Sequence, residues 1–150
     1  MDFLVNTIID YFAANNEMAL AFVVKPGVER LQVQSAVKTE KITPRQILVS
    51  HGVADGVNMS KLSEIQNAIN DVKKEIEIDF LWENLLEKDG QFSVEDICQE
   101  YFGDKKPINI SALARVMLED TVHFKRLQNQ FTVNSREEAA KIEELRRQRA

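Results

Sequence analysis

Six side chains in the second half of the sequence could bind a nucleic-acid backbone. They are Lys105, Lys106, Arg115, His123, Lys125 and Arg126. Neutralisation of phosphates by Lys and Arg supplies most of the affinity of proteins for nucleic acids. Residues 58–135 nevertheless hold nine Lys or Arg against fourteen Asp or Glu. For an isolated domain, a solvated polar face is therefore the simpler interpretation, and any binding through these residues should be weak.

The sequence predicts no catalytic residue, metal ligand or cofactor site. EKDGQFSVED resembles a calcium loop, but aligning Gly90 with the sixth loop position puts Leu85 where the first carboxylate must be. Cys98 has no histidine near it in the sequence to activate a thiolate, and it is predicted to be a core residue. The acidic residues form no tight aspartate cluster for divalent ions, and no phosphate-loop or nucleophile motif occurs.

The composition is typical of a soluble globular protein. The 150 residues are 44% hydrophobic and 29% charged, with a net charge of −5 that argues against strong autonomous nucleic-acid binding. One cysteine excludes an internal disulfide and fits a reducing compartment. No apolar run approaches the roughly 20 residues of a membrane helix, and the first residues lack a basic secretory n-region. We therefore expect a cytoplasmic monomer without membrane contact.

The elements that must position the basic residues follow from the hydrophobic period. Period-two patterns separated by breakers such as KPG and TPR predict five short strands, at 7–13, 18–24, 28–35, 37–42 and 46–51. Five short strands in about 45 residues predict a small antiparallel barrel within residues 1–57. After residue 58 the period changes to 3.6 residues, which predicts a helix over 60–77, capped by Ser60, as a connector spanning 58–78.

Residues 79–135 have the pattern of a winged-helix domain, in which three helices precede a hairpin. The predicted helices are 80–87 after a cap at Asp79, 94–102 between Ser93 and Gly103, and 110–120, opened by Pro107 and Asn109. The predicted strands are 121–128 and 131–134, around a turn at Asn129–Gln130. The third helix is in the position that recognises DNA in such domains. Ser111, Arg115 and Glu119 are predicted on its outer face.

The last segment, residues 136–150, predicts a charged helix capped by Ser135. Its apolar stripe is thin, with Ala140, Ile142 and Leu145, and no stop signal follows. Isolated helices of this length are marginal in water. We expect this helix to lead into a further domain and to be weakly ordered without it.

Four segments carry a resemblance to a known family: ITPRQILVS, IDFLWENLLE, LEDTVHFKR and the charged helix after the hairpin. In this order they resemble the N-terminal region of ribonuclease II/R (RNB) family exoribonucleases. The resemblance spans about residues 7–150 without a diagnostic signature. It implies an α+β fold made of a small antiparallel SH3-like β-barrel, a helical connector, a winged-helix domain and a charged helix. That helix would lead to a catalytic RNB domain absent from this chain.

In that family, the catalytic domain holds an aspartate cluster and magnesium and cleaves RNA from its 3′ end. None of those aspartates has a counterpart here, so magnesium is expected only in the absent domain. The resemblance implies a non-catalytic accessory region that guides RNA, with RNA and the RNB domain as partners. The alternative is a free-standing winged-helix regulator that binds DNA or protein through residues 105–126. A DNA reader needs Arg, Asn or Gln on its third helix, and helix 110–120 offers few.

Overall fold

A five-stranded antiparallel sheet forms the first part of the α+β fold. The computed structural model describes residues 3–88 and 90–149. The strands are β1 (Thr7–Phe12), β2 (Met18–Lys25), β3 (Leu31–Ser35), β4 (Thr39–Ile42) and β5 (Ile47–Val53). All five segments predicted as strands are confirmed. Their order in the sheet is β4-β3-β2-β1-β5, and over the described residues each edge strand pairs with one neighbour. Closure into an SH3-like barrel stays a prediction.

The sheet is packed on both faces. Along β3 buried residues alternate with half-buried ones, as expected for a strand with one covered face, whereas every residue of β1 is buried. One face forms its own core, with Ile9, Tyr11, Ala21, Val23, Leu31, Val33 and Ile42. The other face packs on a helix through Ile8, Leu20 and Phe22. Because β1 lies between two packed layers, even its Asp10 is removed from solvent.

The second part of the chain consists of helices and a small sheet. The helices are α1 (Met59–Lys73), α2 (Ile78–Leu85), α3 (Val94–Phe102), α4 (Pro107–Glu119) and α5 (Arg136–Arg149). The strands are β6 (Phe92–Ser93), β7 (Phe124–Leu127) and β8 (Gln130–Val133), in the sheet order β6-β8-β7. The predicted order of three helices and a hairpin is confirmed, and β6 adds a short third strand between α2 and α3.

Local capping chemistry sets several helix ends where the sequence predicts them. The Ser93 hydroxyl accepts a hydrogen bond from the Asp96 amide at 3.1 Å, and Gly103 ends α3 at a φ of 77°. At α5, the Ser135 hydroxyl accepts from the Glu138 amide at 3.1 Å, and the Glu138 carboxylate accepts from the Ser135 amide at 3.3 Å. This reciprocal pair is a capping box.

Other predicted boundaries are wrong by a few residues. Asn58 caps α1 in place of Ser60, and Glu77 precedes α2, so that Asp79 lies in its first turn. Helix α4 begins at Pro107, one of the two residues predicted to open it, because proline fits the first helical turn, and it ends at Glu119, one residue earlier than predicted. Residues 121–123 form a turn, and the hairpin turns at residues 128–129 instead of Asn129–Gln130.

Helix α1 packs against both the five-stranded sheet and α4. Its Leu62, Ile65 and Ile69 pack with sheet residues and with Ala112 of α4 in one core. Sheet residues Met18, Leu48 and Val49 also pack against the core of the helical part. Helix α1 is therefore more than a connector, because it fills a core that both parts share. The domain boundaries at residues 57, 78 and 135 stay a prediction.

Candidate nucleic-acid interface

Helix α4, the predicted recognition helix, is buried on opposite sides. Residues 111–115 are all buried. Ile110, Leu113, Ala114 and Met117 belong to the core of the helical part. On the opposite side, the small residues Ser111 and Ala112 allow the five-stranded sheet to approach closely. Because this face is covered, α4 cannot enter a nucleic-acid groove in this arrangement.

Arg115 lies inside this contact and forms an ion pair with Asp10 of β1. Its Nη1 donates to Asp10 Oδ2 at 2.5 Å, and its Nη2 donates to Asp10 Oδ1 at 2.9 Å. Nη1 also donates to the carbonyl of Ser111 at 3.1 Å. Asp10 is 0% exposed and Arg115 is 8% exposed. The prediction that Arg115 is an outward-facing RNA contact is wrong, because a buried carboxylate requires a paired cation.

A histidine and a serine extend this buried polar contact. His51 Nε2 of β5 lies 2.9 Å from Ser111 Oγ. Burial lowers the pKa of His51; Asp10 raises this pKa and Arg115 lowers it. The pair is no catalytic dyad, because Asp10 is engaged by Arg115 and Ser111 is fully enclosed, with no access for a substrate. The network instead joins polar groups across the junction of sheet and helix.

His123, another predicted RNA contact, is largely enclosed by the helical part. Its Nδ1 lies 2.8 Å from Asp120 Oδ2 and its Nε2 lies 3.4 Å from Asp79 Oδ1. Its ring centroid is 4.5 Å from that of Trp82. The side chain is 12% exposed. His123 therefore offers little surface to RNA and packs the turn before β7 onto α2.

Lys105 and Lys106 are exposed in the loop before α4. Asp104 orders this loop, since its Oδ1 accepts from the Lys106 amide at 3.1 Å and from Asn109 Nδ2 at 3.0 Å. These hydrogen bonds hold the pKa of Asp104 below its usual value. The two lysines thus project from a well-defined loop, but beside a carboxylate that stays ionised.

Lys125 and Arg126 lie on β7, in the wing. Lys125 is exposed, and Arg126 is half-buried against Phe12 at the end of β1. Both line a groove of about 300 Å³ whose other walls include Asn16 and, at the carboxyl-terminal end of α4, Met117 and Leu118. Lys105 borders a different groove. Lys105 and Lys106 precede the first residue of α4, whereas Lys125 and Arg126 lie beside its last turn. The two pairs are therefore separated by the length of the helix, which is about 20 Å for 13 residues.

Cys98 and the acidic residues were the other groups considered for chemistry. Cys98 is buried, as predicted, and burial raises the pKa of its thiol to about 12. Over residues 3–88 and 90–149, no group of three or more His, Cys, Asp or Glu side chains is placed to hold a metal ion. No helix within these ranges is long and apolar enough to cross a membrane.

The arrangement α2-β6-α3-α4-β7-β8 defines a winged-helix domain. Residues 63–139 match the family model of the ribonuclease II winged helix domain. This match covers just over half of the chain, which therefore belongs to that family. It begins within α1 and ends within α5, a wider range than the predicted 79–135, and supports a ribonuclease II-like N-terminal region. No curated protein and no solved structure matches the chain significantly.

Proposed function

We propose that this chain is a non-catalytic accessory region that guides RNA to the catalytic domain of a ribonuclease II-like 3′–5′ exoribonuclease. The match to the ribonuclease II winged helix domain carries this proposal. In it, the five-stranded sheet is an SH3-like barrel, and the partners are RNA and an RNB catalytic domain. That domain supplies the magnesium and the hydrolysis, and this chain supplies contacts to the RNA backbone.

In this proposal, the contacts lie near the two ends of α4. The covered face of the helix is occupied by the sheet, so the available cations are Lys105, Lys106, Lys125 and Arg126. These are few, and the acidic balance of the chain keeps binding weak. The alternative, a DNA reader that inserts its third helix into the major groove, loses support because Arg115 is neutralised by Asp10.

Charge removal tests the proposal. We compare the triple variant Lys105→Gln/Lys106→Gln/Lys125→Gln with a matched control, Lys41→Gln/Lys61→Gln/Lys74→Gln, whose lysines are also exposed. Binding of a labelled single-stranded RNA is measured by fluorescence anisotropy across a salt series. For three lost phosphate contacts, the log–log salt slope should become shallower by about 2 in the test variant. The control should keep a slope close to that of the wild type.

Two results would contradict the proposal. One is no detectable RNA binding by the wild type at low salt. The other is an equal loss of affinity in the test and control variants. In the same samples, Mg²⁺ should leave the RNA at full length. Degradation that persists through repurification would overturn the non-catalytic part of the proposal.

A further inference from the structure

Arg126 is held in one orientation by residues from both parts of the fold. Its guanidinium carbon lies 4.2 Å from the ring centroid of Phe12. Its Nη1 donates to Asn16 Oδ1 at 3.0 Å, and its Nε donates to the carbonyl of Gln128. Phe12 and Asn16 belong to the first hairpin of the five-stranded sheet, whereas Gln128 belongs to the wing. The guanidinium therefore occupies a composite position that exists only when the two parts are docked.

This arginine lacks a carboxylate partner within the described residues, unlike Arg115 with Asp10 or Arg147 with Glu144. A guanidinium has five N–H donors, of which Arg126 uses two here, so three have no acceptor in the described part of the chain. Arg126 is half-buried, so the cation is partly withdrawn from water, and this burial lowers its pKa. Withdrawing a charge without an ionic partner costs free energy, and an anionic ligand would recover that cost.

The groove beside Arg126 has the character of an anion site at a surface. Lys125 lines the same groove and adds a second positive charge. Asp120 also lines this groove, and its negative charge opposes the binding of an anion there. However, its carboxylate already accepts hydrogen bonds from the amides of Val122 and His123 and lies 2.8 Å from His123 Nδ1. A planar guanidinium fixed by stacking can present parallel N–H groups to a phosphate, which a mobile lysine cannot do.

We propose that Arg126, oriented by Phe12 and Asn16 and assisted by Lys125, binds a backbone phosphate of single-stranded RNA. This inference rests on the proposed function and makes it more specific. The phosphate site is built from the first hairpin of the sheet together with the wing, so RNA contact depends on the docked arrangement. Neither the isolated sheet nor the isolated winged helix would contain the site.

Two variants test the orientation of the guanidinium without changing any charge. Asn16→Gly removes the acceptor for Arg126 and tolerates the left-handed backbone at this position, where φ is 59°. Asn15→Gly is its matched control, because Asn15 has a φ of 64° but no hydrogen bond to Arg126 in the described structure. Arg126→Lys keeps the charge and removes the planar fork. Melting temperatures confirm that each variant is folded.

RNA affinity should fall about tenfold in Arg126→Lys, the range expected for a lost hydrogen bond to a charged group. It should fall measurably in Asn16→Gly and stay unchanged in Asn15→Gly. Independently of RNA, titration with inorganic phosphate should shift the Arg126 Nε–H resonance of the wild type with saturation.

The outcomes separate this inference from the proposed function. If the wild type binds RNA but Arg126→Lys and Asn16→Gly bind as tightly as Asn15→Gly, the phosphate site is overturned and the RNA-guiding role stands. If the wild type binds no RNA, the guiding role is overturned and the RNA-phosphate assignment falls with it. An Arg126 resonance that does not respond to phosphate would contradict the anion site whatever the RNA result.

Discussion

Asp10 and Arg115, which are 105 residues apart in the sequence, share two hydrogen bonds at the junction between β1 and α4. At this junction, apolar residues of the sheet, α1 and α4 also pack together in one core. A buried ion pair contributes little net stability compared with apolar residues, because desolvation offsets the attraction. We therefore expect the packing to supply the stability of the junction and the ion pair to fix its alignment.

Removing one partner of this pair should be far more damaging than removing both. Arg115→Met leaves Asp10 as an uncompensated charge in the interior and should lower the free energy of unfolding by about 3–5 kcal/mol. The double variant Asp10→Leu/Arg115→Met should recover a large part of that loss. Urea denaturation measures both values. Additive losses from Asp10→Leu and Arg115→Met would mean that the two side chains are not coupled.

The stability of the chain should fall below about pH 6.5 because of His51. Burial lowers the pKa of His51 in the folded state below the ordinary value of about 6.5 expected in the unfolded chain. The stability that neutral His51 contributes is fully present above the pKa of the unfolded chain. As the pH falls, the unfolded chain takes up the proton first, so stability is lost until His51 of the folded chain is protonated too. His51→Gln removes this titration, so the two unfolding profiles should diverge between pH 8 and pH 5. Parallel profiles would contradict the attribution of this pH dependence to His51.

A side chain at Gly103 should destabilise the fold, although there is space for one. A Cβ at Gly103 meets no atom within 4 Å, but φ is 77°. Gly103→Ala should therefore cost about 1–2 kcal/mol through backbone strain alone. Gly56→Ala is the control, since its Cβ also meets nothing and its φ lies outside the left-handed region. Equal thermal denaturation midpoints for the two variants would argue against strain as the cause.

Amide exchange in α5 should be slow up to about Ile142 and fast beyond it. Ala139 is 3% exposed and packs on the winged-helix core, and Ile142 is partly buried against it, but Leu145 is 54% exposed. Amides after Ile142 should exchange much faster than those in the middle of α4, because a single unpacked helical segment is marginal in water. Hydrogen exchange followed by NMR resolves the two groups. Protection at Leu145 equal to that at Leu113 would contradict this boundary.

Local patterns predicted the strands and several caps, but contacts between distant segments were out of their reach. The alternation along β3 and the Ser93 and Gly103 signals depend on neighbouring residues, so the sequence displays them directly. The role of Arg115 depends on Asp10, more than 100 residues earlier. One signal was present: a charged residue inside the apolar run TIIDYF requires a partner if that strand is buried on both faces.

The hairpin turn shows where a local rule fails. Its left-handed residue is Gln128, with a φ of 58°, although asparagine is several-fold more common in that conformation. The turn predicted at Asn129–Gln130 is therefore one residue too late. The register of β7 and β8, which pairs Leu127 with Gln130, requires a two-residue loop at residues 128–129. Similarly, α4 has large apolar residues on one side and the small residues Ser111 and Ala112 on the other, which indicates a helix that is covered on both sides. The prediction of an outer face overlooked this pattern.

The burial of α4 also limits how this winged helix can be exchanged between proteins. A fragment cut at the family match, residues 63–139, would lose the five-stranded sheet and expose Ile65, Ile69 and Ala112 together with an unpaired Arg115. Such a surface favours aggregation. Transplanting the winged helix alone would therefore require polar replacements along α1 and α4. Gene rearrangements that keep the sheet and the winged helix together avoid this requirement and should be the viable ones.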